Sequence, residues 1–233
     1  MGSSNHLKRL NMPRSWALPR KTSIWVTRPT PGAHTLELCM PISLVIRDVL
    51  GYARSTREVR HILHNGRALV DGRICKDTRR GVGLMDVLTV GENNFRCILD
   101  INGKLRYRPI SKKQASTKTC RVMGKTTISG GKTQLHLHDG RNLLFDSNPE
   151  YKSGDSVVIS LPEQEIIVHH KFEQGALAYL TGGSHIGETA TVSSREIKRS
   201  SKANEVSFDD FGTISDYVFI LGNSKDIPLE VVE

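Results

Sequence analysis

The sequence predicts an α+β chain that is mostly β, and three observations carry that expectation. Residues 1 to 38 combine six Lys and Arg with prolines at 13, 19, 29 and 31, a density that disfavours long helices and central strands. Residues 39 to 92 hold one well-bounded amphipathic helix followed by short extended runs. From residue 93 onward, short strand-like runs recur around Asn-Gly and Asp-Gly dipeptides, the pattern of small β-barrels. The expected organisation is a basic extension over 1–38, a small α/β domain over 39–92, a central β domain over 93–170 and a last β domain over 171–233.

In the extension, few apolar residues remain to bury, so it reads as a segment that orders along a partner rather than as a domain. Pro41 with Ile42, Leu44, Val45, Val49 and Leu50 then fits a short helix ending at Gly51. Ser55-Thr56-Arg57-Glu58 is a capping box. The Ser55 hydroxyl can accept from the Glu58 N–H while the Glu58 carboxylate reaches back to the Ser55 N–H. The helix it opens has Val59, Ile62 and Leu63 on one face and Arg57, Arg60, His61 and His64 on the other, and Asn65-Gly66 ends it. Ala68 to Val70 is a strand leading into an Asp71-Gly72 turn, with Arg73 beyond. Asn102-Gly103 and Asp139-Gly140 predict two hairpins, over 95–108 and 133–145. Further strands are expected at 157–161 and 166–169 about Pro162, at 176–180 and 189–192, and at 217–221.

Apolar residues including glycine make about 46% of the 233 residues, which excludes wholesale disorder. No run of ~18 apolar residues exists, and the basic, polar N-terminus lacks the apolar core of a secretory signal. Cys39, Cys75, Cys97 and Cys120 stand about 20 to 36 residues apart without a CxxC pair, the usage of reduced thiols in a cytosolic protein rather than of a zinc ribbon or disulfide framework. The net charge of +9 is unevenly placed: residues 1–125 carry +16 and residues 126–233 carry −7. A half so positive implies a polyanionic partner, and its Arg-rich composition suits phosphate, which pairs with the planar guanidinium fork. No basic amphipathic helix with a large aromatic face points to a membrane instead.

The array formed by Arg57, Arg60 and His61 on the capped helix, Arg54 before it and Arg67 and Arg73 after it, joined by Lys76 and Arg79-Arg80, is the sharpest chemical feature. Several guanidiniums on a rigid frame suit RNA, which is read by shape and phosphate position. Catalytic chemistry has no comparable support. Gly131-Lys132-Thr133 and Gly124-Lys125-Thr126 lack the first glycine of a phosphate loop. His136 and His138 share one face of a strand, but no third metal ligand lies at a recognisable spacing. There is no Gly-x-Ser-x-Gly, and Asp209-Asp210 reads as a turn.

The chain resembles the archaeal and eukaryotic ribosomal protein S4e family along nearly its whole length. The resemblance is carried by His6-Leu7-Lys8-Arg9-Leu10, Pro13, Trp16, Arg28-Pro29, Gly32 and His34, then Gly66, Val70-Asp71-Gly72-Arg73 and Met85-Asp86-Val87, then Phe172, Gly175, Thr181-Gly182-Gly183 and Gly187, and finally Phe211-Gly212-Thr213, Tyr217-Val218-Phe219 and Gly222. It implies an S4-type RNA-binding domain over 39–92 and a KOW-like SH3-type barrel over 171–233. Glu188 and Ala190 stand where the family's KOW turn usually has a basic residue and a glycine, which argues against RNA contact by that loop. The length suggests an archaeal member. The implied function is a non-enzymatic component of the small ribosomal subunit in the cytoplasm, needing no cofactor. Its partners would be ribosomal RNA and neighbouring ribosomal proteins, with no membrane and no small-molecule substrate. Lys8, Arg9 and Arg14 would lie along phosphates with the arginine array. The alternatives are a free RNA-binding regulator or chaperone and an RNA-modifying enzyme with an S4-type domain; the latter would need a catalytic domain, and only short β units follow here.

Overall fold

Proline density does not keep the N-terminal segment from folding. In the computed structural model, which describes residues 6–146 and 149–222, β1 (His6–Lys8) pairs antiparallel with β2 (Trp25–Thr27). Met12, Trp16 and Val26 are buried. The Trp16 indole N–H donates to the Cys39 carbonyl at 2.8 Å, and the Leu105 N–H donates to the Ser15 carbonyl at 2.7 Å. The segment expected to await a partner is therefore packed on its own chain. Its apolar residues are few, but Met12, Trp16 and Val26 suffice to pack it on the unit, while Leu10, Ile24 and Trp25 stay exposed. Pro13 and Pro19 lie between the two strands, where no ladder donor is needed.

The chain divides into two units, Met1–Leu99 with Lys104–Ser116, and Asp100–Gly103 with Thr117–Glu233. In the first, β3 (Cys39–Pro41) leads into α1 (Ile42–Leu44), which continues as a π-helical turn over Val45–Val49. The predicted short helix is present, with its last turn widened. Next come α2 (Thr56–His64), β4 (Ala68–Val70) and β5 (Arg73–Ile74). β6 (Gly81–Gly83) pairs with β3, and β7 (Val87–Val90), β8 (Asn93–Leu99) and β9 (Leu105–Ile110) follow. The main sheet has the order β5-β4-β7-β8-β9. The Asn-Gly hairpin was expected to open a central domain at residue 93; its two strands instead complete the sheet of the α/β unit. A turn dipeptide specifies that two strands pair, but not which sheet they extend. A capped turn, α3 (Lys112–Ala115), ends the unit, with Ser111 and Gln114 bonded reciprocally.

Gly83 shows how closely the N-terminal segment packs. A Cβ there would lie 2.4 Å from the His34 ring, and the glycine lets that buried ring reach Asp86 at 2.9 Å.

The second unit begins with β10 (Thr117–Thr127), the longest strand, which the sequence patterning did not single out. After it come β11 (Thr133–Leu137), β12 (Asn142–Phe145), β13 (Ser156–Ser160) and β14 (Ile166–His170). The first half of β10 pairs with β13 and the second half with β11, across an irregularity at Val122/Gly124. One strand thus joins two hairpins around a core of Cys120, Val122, Leu135, Leu137, Val157 and Ile159. Among the described residues the strand order is β12-β11-β10-β13-β14, in the region where a small β-barrel was expected.

The remaining strands are β15 (Leu177–Leu180), β16 (Thr189–Thr191), β17 (Ser194–Glu196), β18 (Glu205–Ser207), β19 (Gly212–Ile214) and β20 (Val218–Ile220). They form two three-stranded sheets, β16-β15-β20 and β17-β18-β19. Both contribute to one core, with Ala178, Leu180, Val218 and Ile220 from the first sheet and Val206 from the second, beside Phe208. Only the first sheet was legible in the sequence pattern. The end of the expected 171–233 domain, from residue 223 on, lies outside the described residues.

Candidate nucleic-acid interface

Helix α2 is held at both ends. Its N-cap, Ser55, is extended (φ −132°), and its side chain accepts the Glu58 N–H at 3.3 Å. The Glu58 carboxylate reaches one residue further back than predicted, accepting the Arg54 N–H at 2.8 Å. That bond, with the Ser55 contacts, holds its carboxyl below the usual carboxylate range. Gly66, at φ +69°, lets the chain leave the helix through a left-handed turn. Val59 and Leu63 are fully buried, whereas Arg57, Arg60, His61 and His64 are exposed. The faces separate as the 3.6-residue spacing requires.

The turn after β4 fixes the next cations. Asp71 and Gly72 have φ of +51° and +77°, the mirror-image turn that suits a right-twisted hairpin. Asp71 is buried, and it clamps β7 by accepting the Val87 N–H at 2.8 Å while its own N–H donates to the Val87 carbonyl at 2.8 Å. Arg73 therefore leaves a turn locked by its neighbour. Lys8, Arg14, Arg54, Arg67, Arg73, Lys76 and Arg80 are exposed with Arg57, Arg60 and His61.

Two predicted contacts are placed differently. Arg9 is buried; its Nε donates to the Pro19 carbonyl at 2.6 Å and a terminal nitrogen to Ser23 Oγ at 3.3 Å. Those bonds close the loop between β1 and β2, so its side chain is not open to solvent as those of Lys8 and Arg14 are. Arg79 is half-buried, its Nε donating to the Arg28 carbonyl at 3.0 Å, while the Thr30 N–H donates to the Arg79 carbonyl at 2.9 Å. It ties the N-terminal segment to the α/β unit. Local sequence cannot show either role, because the acceptors are backbone carbonyls that only the fold brings near. The exposed Trp25, with Arg28 and Arg47, was missed; its signal in the sequence is an aromatic ring inside a basic segment.

The chemistry set aside from the sequence gains no support from the geometry. All four cysteines are buried thiols outside any disulfide, and burial pushes the Cys39 thiol up to about 11, away from nucleophilic use. Cys120, His138 and Asp139 converge in the second unit, but the Asp139 carboxylate already holds Lys118 at 2.8 Å and Arg141 at 3.1 Å. A metal ion there would sit beside two cations. His136 is bonded to Asn142 and Thr126. Gly131-Lys132-Thr133 runs into a strand, not into a helix whose N-terminus could cradle phosphate.

Comparison with known proteins places this interface in context. The sequence matches the RS4NT domain over residues 1–37 and the ribosomal family S4e over residues 91–166. It is 42% identical to the small ribosomal subunit protein eS4 of Methanosphaera stadtmanae, over 97% of this chain and 96% of that protein. The chain belongs to the S4e family. Another S4e relative, the eS4 protein of Methanocaldococcus jannaschii, is 41% identical with 97% of each chain covered. The crystal structure of the 30S ribosomal protein S4e from Thermoplasma acidophilum superimposes with a TM-score of 0.70 at 34% identity, covering 81% of this chain and 97% of that one. The S4e likeness thus extends over both sequence and fold.

Proposed function

We infer that this chain is a structural component of the small ribosomal subunit, without enzymatic activity, that binds ribosomal RNA chiefly through its first unit. The observation that carries the reading is identity of about 40%, over almost the full length of both chains, with proteins named for that role. The exposed cations on and around α2 supply a physical reason. They stand on a capped helix and a locked turn, so little order is lost when phosphates dock against them. Residues 39–92 act as the S4-type RNA-binding element; residues 171–233 are the KOW-like domain, and the acidic half of the chain faces protein neighbours or solvent. Its place is the cytoplasmic ribosome.

Sucrose-gradient fractionation of native lysate at low and high salt tests the reading. Sedimentation with the small subunit, resistant to moderate salt, is the expected result; a chain that stays in the light fractions at every salt overturns it. With on the order of eight phosphates neutralised, the slope of log K against log salt for the isolated RNA complex is roughly −6 to −7.

A further inference from the structure

We propose that the first unit carries a pocket for one unpaired RNA nucleotide, with the base against Trp25 and the phosphate among arginines. This rests on the reading that the unit binds RNA, and it goes further by naming what is bound and where. A cavity of about 410 Å³ opens where β1 and β2 meet the helical turn after α1, within the size range of small-ligand sites. Four of its lining residues are arginines, Arg9, Arg28, Arg47 and Arg79, and none is acidic.

Three of these cations, Arg47, Arg79 and Arg9, are held in place. Arg47 is clasped by its neighbour Asp48 through two bonds of 2.7 and 2.9 Å and donates to Thr56 Oγ1 at 2.9 Å. Arg79 is anchored on the Arg28 carbonyl, and Arg9 on Pro19 and Ser23. Asp48, which pairs with Arg47, is not among the lining residues.

The second half of the argument is aromatic. The protein has two tryptophans; Trp16 is 1% exposed, whereas Trp25 is 56% exposed and Ile24 beside it 72%. The His6 ring lies 5.6 Å from the Trp25 ring at 55°, a tilted contact rather than a stack. An exposed indole on the wall of an arginine-lined cavity matches a ligand that has both a flat π face and an anion. A nucleotide has both, whereas inorganic phosphate or an apolar side chain matches only one half. Bases inside an RNA helix are stacked on one another, so the nucleotide bound must be unpaired.

Intrinsic fluorescence of the full chain tests this, because quenching of exposed tryptophan reports on Trp25. Adenosine 5′-monophosphate is expected to quench saturably, with adenosine and inorganic phosphate each binding at least about tenfold more weakly. By calorimetry, Trp25→Ala should lose about tenfold in affinity for the monophosphate and Trp25→Phe should stay within about threefold, since the phenyl ring keeps a stacking face. Circular dichroism and the emission of buried Trp16 verify that the variants fold. Absence of saturable quenching, equal binding of adenosine or phosphate, or a Trp25→Ala variant that binds as well as the parent overturns the pocket. Co-sedimentation with the small subunit is scored separately on the unaltered protein. The pocket can therefore fail while the ribosomal reading stands, and the reverse.

Discussion

The two units of this protein use the same cationic side chains for opposite ends. The first holds 21 Lys and Arg against 7 Asp and Glu, and the second 12 against 17. In the first, Arg57, Arg60, Arg67 and Arg73 face water. In the second, three cations are used inside the fold. Lys118 is buried against Asp139; Arg121 donates to the carbonyls of Ser215 and Asp216; Arg195 lies 4.4 Å over the Phe172 ring. A charge count therefore predicts a polyanionic partner only where the cations lack partners within the protein. An array left facing water repels itself in the free protein and is relieved by phosphate, so its stabilisation is delivered on binding.

The comparison can be broken most sharply in the second unit. Lys118 and Asp139 are each 1% exposed in their side chains. Asp139→Asn leaves the ammonium buried without its counter-charge and is expected to cost about 3–5 kcal/mol, read from chemical denaturation at neutral pH. Burial alone would raise the Asp139 carboxyl, but Lys118, His138 and Arg141 outweigh it and hold it below the usual range. Its contribution is therefore fully present above the ordinary carboxylate value of about 3.9 and is lost as pH falls through the lowered one. Acid titration of the parent should show this loss below about pH 4, and the variant should lack that component.

A smaller effect is expected from the first unit, in binding rather than stability. Replacing Arg57, Arg60 and Arg73 together by Ala should weaken ribosomal RNA binding by about 100-fold and reduce the salt slope by about 2 to 3, measured by filter binding. The matching triple replacement of the exposed Lys152, Lys171 and Lys202 should change affinity by less than about threefold. Equal losses would end the distinction between the units. The smallest effect sharpens it. Ser55→Ala removes the cap of α2 and should cost about 1 kcal/mol in denaturant unfolding, with a few-fold loss of RNA affinity as the arginine frame frays.

Local signals were legible where the physics is local. The cap at Ser55, the stop at Asn65-Gly66, the Asp71-Gly72 turn and the two later hairpins all depend on residues within a few positions of one another. The Glu58 carboxylate takes the neighbouring Arg54 N–H at 2.8 Å beside its contacts with Ser55, a difference of one residue in a flexible side chain. Less legible were elements whose partners are distant. β10 passes from one neighbour to another midway, so no single alternation marks it. β17, β18 and β19 are three residues each and depend on one another for pairing. Arg9 looked like Lys8 in the sequence, yet one is buried and the other exposed.

By itself, then, the sequence determined the sign and location of the charge, the capped helix that displays it and the turns that frame the strands. These follow from composition, spacing and backbone preferences that act over a few residues. Tertiary structure alone decided that the proline-rich N-terminus folds back, that the 93–110 hairpin completes the α/β sheet, and which cations are used internally. Those outcomes turn on burial and on acceptors such as the Pro19, Arg28 and Cys39 carbonyls, which become neighbours of Arg9, Arg79 and Trp16 only once the chain has packed.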